Sequence, residues 1–366
     1  MTLIKEVIQV LEQLAPSAYQ ESYDNAGLIV GSGVTEVSGV LLTLDVTEEV
    51  IAEAIERNCN LVVAHHPIVF KGLKKLNGRN YVERTVLKAI KNDIAIYATH
   101  TNLDHVINGV NWQIANLINL QNIQVLAPKK QVLSKLTFFS PVENTQSILD
   151  ALHEAGAGNI GNYSNCSFQT EGSGTFRPNS SANPVIGESG KQEVVTEHRA
   201  ELIFPSHLEA AIISTLKRAH PYEEVAYYLQ SLENENQEVG AGAFGALHEP
   251  LDTEAFLRLL KEKMQLNVIR HTRPVKETIQ RVAVCGGAGS FLLPNAIRAE
   301  ADVFVTADYK YHEFFDAEND IMICDIGHYE SEVFTKNLLY NYLSGKFPNF
   351  ALCLSEVNTN PVRYFV

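Results

Sequence analysis

The amino-acid sequence predicts an α/β protein, with a discontinuous two-part α/β domain and an inserted ferredoxin-like α+β domain. Apolar segments typical of buried strands alternate with amphipathic helical segments near both ends of the chain, which favours parallel βαβ units. The middle of the chain differs, because two β–α–β stretches there are separated by a polar segment. We therefore predict the two-part domain over 1–127 and 239–366, and the insert over 128–238.

The N-terminal part of the chain supplies the first βαβ pattern. Val50 and Ile51 lie on one face of a predicted helix, and Asp45 and Glu48 have the spacing of a capping box before it. Strands are predicted over 37–46, 61–67 and 94–100, and helices over 48–58 and 82–92.

The C-terminal part repeats this order. Strands are predicted over 281–287, 302–308 and 321–327, and helices over 293–301, 309–318 and 329–344. The segments LVVAHHP (61–67) and VFVTADY (303–309) occupy the same position in the two halves, as do 94–104 and 321–332. We interpret the two halves as a pseudo-repeat of βαβ units.

The insert begins with a strand and a helix that carries Ile148 and Leu149 on one face. A second β–α–β stretch covers 199–232, which favours a small α/β sandwich. The segment between them, 171–192, is rich in Gly, Ser, Asn and Pro, and it predicts a loop or a weak hairpin.

Composition excludes several classes of protein. The 366 residues are 45% hydrophobic and carry a formal net charge of −14, which gives no support to nucleic-acid binding. No apolar run reaches the roughly 18 residues of a membrane helix. The N-terminal stretch 1–16 lacks the features of a signal peptide, and the five cysteines form no C-x-x-C pair. We therefore expect a reduced, cytoplasmic protein whose metal ligands, if any, are His and carboxylate.

Candidate ligands follow three of the predicted strands, at the end of a sheet where α/β proteins bind ligands. These are the pair His65 and His66, then Asp104, and then His328 with Glu332 four residues later on one helical face. Each has a structural alternative when it is taken alone: a hydrogen-bonded histidine pair, a helix-capping Asp, or a solvated Glu at a helix start.

Taken together, the three imidazoles and two carboxylates predict a site for two metal ions. Neighbouring residues of an extended chain point in opposite directions, so His65 and His66 would serve different ions. With Glu332 bridging, one ion has His65, Asp104 and Glu332, and the other has His66, His328 and Glu332. Three protein ligands each leave room for water, as in catalytic sites. Water between two divalent cations is a strong nucleophile near neutral pH.

Three further side chains near these segments are candidate proton-transfer residues. His100 either supports a ligand or packs inside its strand, and Asp308 and His312 either transfer protons or cap a helix. The chain also contains two glycine-rich stretches. We reject 240–245 as a dinucleotide site because no helix follows it, and 285–290 forms either an anion-binding loop or a tight turn.

At these residues the sequence resembles the Nif-three-like family, whose members are commonly described as GTP cyclohydrolase 1 type 2 homologues. The resemblance covers about 1–127 and 239–366, and the insert resembles the PII/CutA-like domain of the longer bacterial members through HPYEE (220–224). The motifs that carry it are YDNAGL (23–28), AHHP (64–67), THTNLD (99–104), GGAG (286–289), TAD (306–308) with His312, and GHYESE (327–332). Ala307 stands where a Gly is more usual.

The resemblance implies a dinuclear metal site of the same five residues, with zinc foremost and iron or manganese as alternatives. It also implies a homo-oligomer, a toroidal hexamer with the metals facing an internal cavity. If its description holds, water activated by the metals attacks the guanine ring of GTP. The alternatives are a metal-dependent phosphoesterase acting on another nucleotide, and a metal-binding regulatory or scaffold protein without catalysis.

Overall fold

The computed structural model describes residues 1–365, and the chain forms two compact units. The first unit combines residues 1–128 with the chain from Glu238 onward, and the second comprises residues 129–237.

The described part of the chain contains fifteen strands and eleven α-helices. The strands are β1 (Gly27–Val30), β2 (Gly39–Thr43), β3 (Leu61–Ala64), β4 (Ala95–Ala98), β5 (Gln121–Lys129), β6 (Leu133–Pro141), β7 (Phe168–Phe176), β8 (Glu193–Pro205), β9 (Tyr227–Leu232), β10 (Asn236–Asp252), β11 (Arg270–His271), β12 (Thr278–Ala288), β13 (Val303–Ala307), β14 (Met322–Asp325) and β15 (Ala351–Leu354). The helices are α1 (Ile4–Leu14), α2 (Glu48–Glu56), α3 (Tyr81–Lys91), α4 (Thr101–Asp104), α5 (Val110–Leu117), α6 (Thr145–Glu154), α7 (Glu209–Ala219), α8 (Thr253–Lys263), α9 (Leu293–Arg298), α10 (His328–Glu332) and α11 (Thr335–Ser344).

Two sheets form the first unit, with strand orders β1-β4-β3-β2-β15 and β11-β14-β13-β12-β10-β5. Strands β2, β3 and β4 are parallel, and so are β12, β13 and β14. Each set of parallel strands is extended by an antiparallel edge strand. Strand β1 pairs with β4, and β11 pairs with β14. The matching strand orders confirm the α/β class, and they place the carboxyl ends of β3 and β4, which precede candidate ligands, at one edge.

Predicted strands that lead to candidate ligands were too long. Strand β3 ends at Ala64 rather than 67, and β4 ends at Ala98 rather than 100. The chain leaves the sheet before each candidate ligand, so these side chains do not follow the alternating directions of a pleated strand. The predicted helix 309–318 is a 3₁₀-helix, Tyr311–Ala317, which follows Asp308 in the left-handed region at φ 58°.

The capping-box prediction for Asp45 and Glu48 was wrong. Thr47 is the N-cap of α2, and its side chain accepts a hydrogen bond from the backbone N–H of Val50. The Asp45 carboxylate is directed elsewhere and accepts hydrogen bonds from His66 and Thr359. This leaves Asp45 free to act at the candidate site described below.

The second unit contains a four-stranded antiparallel sheet of order β7-β8-β6-β9 with helices α6 and α7 packed on it. Its core includes Leu136 and Phe138 of the sheet and Leu149 and Ile212 of the helices. Strand β7 takes up the beginning of the predicted loop 171–192. A relation to PII/CutA-like domains stays a prediction. Within residues 1–365, no helix has both the length and the apolar character needed to cross a membrane.

Candidate metal centre

The histidine pair follows β3, whose four residues are fully buried. The backbone N–H groups of both histidines donate to the carbonyl of Leu44, at 3.1 Å from His65 and 3.0 Å from His66. This turn holds the two rings in different directions, with centroids 4.9 Å apart. His65 is completely buried, whereas His66 lines an open cavity.

One oxygen of Glu332 faces His65. The Nε2 atom of His65 lies 3.8 Å from Oε1 of Glu332 and 3.6 Å from Oδ1 of Asp104. Asp104 ends α4, the short helix that follows β4, and Glu332 ends α10. The three ligand atoms therefore come from three separate segments and surround one point.

The other oxygen of Glu332 faces the second pair of imidazoles. Its Oε2 atom lies 2.9 Å from Nε2 of His66 and 3.1 Å from Nε2 of His328, and these two nitrogens are 3.3 Å apart. His328 and Glu332 stand one turn apart on α10, which gives them the common face that their spacing predicts. The Glu332 carboxylate thus separates two groups of possible ligands.

The donor set fits a pair of divalent cations. Both ring nitrogens of His65 and Oδ1 of Asp104 are buried without a hydrogen-bond partner, which is rare for polar atoms in folded proteins. Neighbouring ligands of a tetrahedral zinc ion lie about 3.3 Å apart, and the separations around Glu332 bracket that value. Imidazole and carboxylate ligands suit zinc, iron and manganese.

Two carboxylates outside these groups orient the histidines. Oδ1 of Asp45 accepts a hydrogen bond from Nδ1 of His66 at 2.8 Å, and Oδ2 of Asp308 accepts one from Nδ1 of His328 at 2.7 Å. Each contact fixes the tautomer that leaves Nε2 available to a metal. Sequence reasoning assigned Asp45 to a helix cap and missed this role, although an acidic residue close to the end of a buried strand was a usable signal.

A third carboxylate–imidazole pair stands beside the first two. Asp24 accepts a hydrogen bond from Nδ1 of His100 at 2.7 Å, and the His100 ring lies 5.4 Å from the His65 ring and 5.5 Å from the His66 ring. Asp24 also accepts from the backbone and hydroxyl of Thr101. The structure therefore brings His100 to the centre, and its partner Asp24 was missed by sequence reasoning.

The other two predicted proton-transfer residues, Asp308 and His312, differ in their distance from the candidate metal centre. Asp308 lies at the centre, where it orients His328. His312 is exposed and contacts the rings of Tyr311 and Phe315, and no described contact within residues 1–365 joins it to the histidine cluster.

The glycines Gly286 and Gly287 lie at the end of β12, where the pairing with β13 shifts register, and they lie beside Glu332. The amide of Gly286 donates to Asn111 and the amide of Gly287 donates to Ser331, each at 2.9 Å. Because both amides already have partners and belong to the strand, neither the anion-binding loop nor the tight turn describes Gly286 and Gly287. The segment 240–245 lies inside β10, in agreement with its rejection as a nucleotide site.

Burial or neighbouring charges raise the pKa values of three candidate ligands. Burial raises the pKa of Asp104, and the Glu332 charge adds to this. Burial alone would lower the pKa of His66, but hydrogen bonds to Asp45 and Glu332 outweigh it and raise the pKa to about 10. The pKa of His328 is raised to about 9 in the same way, against burial, by Glu332 and Asp308. Without metal, protonated His66 and His328 therefore face the Glu332 carboxylate.

A cavity of about 890 Å³ opens onto this cluster. His66, His100 and His328 line it, together with aromatic side chains such as Phe70 and Tyr81. Cavities of this volume accommodate small organic ligands.

Comparisons with known proteins find relatives that match almost the whole chain. A family model described as Duf34/NIF3 (NGG1p interacting factor 3) matches residues 2–361. A Bacillus subtilis protein named GTP cyclohydrolase 1 type 2 homolog is 38% identical over 365 residues, covering 98% of each chain. A protein of the same name from Halalkalibacterium halodurans is 39% identical over 363 residues, again covering 98% of each.

Solved structures of similar proteins superpose on almost the whole chain. A Bacillus cereus protein related to NIF3 superposes with a TM-score of 0.87 at 37% identity, covering 99% of each chain. A Staphylococcus aureus protein superposes with a TM-score of 0.79 at 30% identity, covering 100% of this chain and 99% of that one. Because the family model and these relatives extend over almost the whole sequence, the chain belongs to the DUF34/NIF3 family.

Proposed function

We propose that the protein is a hydrolase that uses two divalent metal ions and acts on a purine nucleotide such as GTP. The observation that carries this proposal is the placement of Glu332, whose two oxygens face separate groups of ligands. His65 and Asp104 would complete one site, and His66 and His328 would complete the other. Zinc is the first candidate metal, followed by iron and manganese.

The ions that these residues would hold would supply Lewis acidity and would lower the pKa of bound water. The protein itself supplies fixed ligands, because Asp45 and Asp308 hold the His66 and His328 rings in orientation. It also supplies His100, whose Nδ1 is committed to Asp24. The other nitrogen of His100 is then the atom that would accept or give a proton at the cavity.

The nucleotide as substrate is supported by the size of the cavity and by the names of the relatives. A volume of about 890 Å³ accommodates a purine nucleotide. The Bacillus subtilis and Halalkalibacterium halodurans relatives are named GTP cyclohydrolase 1 type 2 homologs.

The test joins metal content to turnover. Wild type, Glu332→Gln and the surface control Glu254→Gln are loaded with zinc or manganese, and bound metal is counted by mass spectrometry of digested protein. A panel of purine nucleotides is then assayed for metal-dependent hydrolysis. We expect about two ions per chain and turnover in wild type and control, and loss of both in Glu332→Gln.

Two outcomes would contradict the proposal. Binding of a single ion would exclude the bridging role of Glu332. If wild type binds two ions and hydrolyses no nucleotide, the result would favour the alternative function, a metal-binding regulatory or scaffold protein without catalysis. A toroidal hexamer is a further proposal, and light scattering of the native protein measures it directly.

A further inference from the structure

The described residues that line the cavity include a single basic residue of the Lys or Arg type. This is Arg270, which begins the edge strand β11. The other charged lining side chains, apart from histidines, are the carboxylates of Asp45, Asp308, Asp325 and Glu330.

Contacts on one side hold the Arg270 guanidinium in place. Strand β11 pairs with β14 so that Arg270 stands opposite Asp325. Its Nη2 atom donates to Oδ2 of the buried Asp325 and, at 2.9 Å, to the carbonyl of Tyr309. The guanidinium also lies over the ring of Phe314, 5.4 Å from its centroid. Arg270 is therefore positioned before any ligand arrives, which reduces the entropy lost on binding.

The rest of the guanidinium has no partner in the chain. No hydrogen bond among residues 1–365 uses Nε or Nη1 of Arg270, and 55% of the side chain is exposed. The carboxylates around the cavity, in contrast, already accept hydrogen bonds: Asp45 from His66 and Thr359, Asp308 from His328, and Glu330 from Asn360. The Nε and Nη1 atoms of Arg270 are therefore available as donors at the cavity wall. The planar guanidinium can donate two parallel hydrogen bonds to a phosphate or a carboxylate.

Aromatic side chains complete the wall. Phe70 is 51% exposed and Tyr81 is 61% exposed, and both line the cavity that Arg270 lines. Exposed rings of this kind offer flat apolar area against which a planar heterocycle can stack. We propose that Arg270 binds a phosphate group of the substrate, so that the cavity accepts a phosphorylated aromatic heterocycle in preference to a neutral one. This inference rests on the proposed function, because it names the substrate class of the same site.

The experiment compares binding of GMP and guanosine to the full-length, manganese-loaded protein by isothermal titration calorimetry. The variants are Arg270→Gln, Arg270→Lys, and Arg273→Gln, which removes an exposed charge three residues away. We expect Arg270→Gln to weaken GMP binding by about 10-fold or more, since hydrogen bonds to a charged group are strong, and to leave guanosine binding unchanged. Arg273→Gln should bind both as wild type does.

Metal content and melting temperature show whether Arg270→Gln keeps its fold. If that variant unfolds, Arg270→Lys serves in its place, because it keeps a positive charge beside Asp325. Equal GMP affinity in wild type and both Arg270 variants would overturn the inference. So would equal losses in Arg270→Gln and Arg273→Gln, or no GMP binding by wild type at millimolar concentration. Loss of GMP affinity in an Arg270 variant, with no turnover by wild type, would support the role of Arg270 and contradict the hydrolase proposal alone.

Discussion

Gly287 leaves the space that Oε1 of Glu332 occupies, since a Cβ atom at position 287 would lie 2.5 Å from that oxygen. The backbone at Gly287 also has φ +60°, a conformation that side chains disfavour. The end of β12 and the end of α10 therefore pack closely, and the absence of a side chain at position 287 makes room for the Glu332 carboxylate.

Gly287→Ala should displace Glu332 and weaken metal binding. Backbone strain at positive φ adds a loss of roughly 1 kcal/mol in the free energy of unfolding. Metal titration and denaturant unfolding measure the two effects. Gly345→Ala is the control, because nothing lies within 4 Å of its added Cβ and its φ is −74°. Unchanged metal affinity in Gly287→Ala would contradict the role given to this contact.

Removing the charge of Asp45 or Asp308 should lower metal affinity without unfolding the protein. Each carboxylate accepts a hydrogen bond from Nδ1 of a candidate ligand histidine, and loss of such partners typically costs about 10–100-fold in metal affinity. Asp45→Asn and Asp308→Asn are compared with wild type by competition with a metal-binding dye. Asp316→Asn, at an exposed position of the neighbouring 3₁₀-helix, is the matched control. Wild-type affinity in both test variants would show that the histidines need no such support.

His100→Gln separates proton transfer from metal binding. If His100 moves a proton, the variant should keep its metals and lose about 100-fold or more in turnover. Asp24→Asn should act in the same direction, because Asp24 holds the tautomer of His100. His312→Gln, at an exposed position away from the cluster, should behave as wild type. A large metal loss in His100→Gln would instead make His100 a ligand.

The second unit should lose stability in mild acid through His220. This buried ring bonds the carbonyl of Phe139 through Nε2 and accepts from the amide of Tyr222 through Nδ1, so it is held neutral. Burial lowers its pKa from the usual 6.5. Well above pH 6.5, this residue is neutral in both the folded and the unfolded state. As the pH falls below 6.5, the unfolded state takes up a proton first and stability declines.

Thermal unfolding between pH 8 and pH 5 measures this effect. We expect the melting temperature of wild type to fall more steeply than that of His220→Gln as the pH decreases. The contribution of His207, whose pKa is also lowered by burial, is common to both proteins. Parallel curves for wild type and His220→Gln would exclude a role for His220 in the acid sensitivity.

Local patterns in the sequence were sufficient for the class of the fold and for the main ligand candidates. The runs around Val62 and Val305 predicted buried parallel strands, because continuous apolar β-branched segments are stable only with both faces covered. The four-residue spacing of His328 and Glu332 predicted a shared helical face, and α10 has it. Boundaries were less accurate, since hydrophobic patterns continue past the last hydrogen-bonded residue of a strand.

The sequence by itself determined which residue types could bind metal and that they follow strands. Only the tertiary structure decided which atoms meet, because His66 and Glu332 are 266 positions apart and their Nε2 and Oε2 atoms come to 2.9 Å through the packing of separate segments. The same holds for Asp45, whose local spacing suggested a helix cap although its carboxylate orients His66. Short-range patterns report local conformation, whereas the partner of a buried polar group depends on contacts that chain folding brings together.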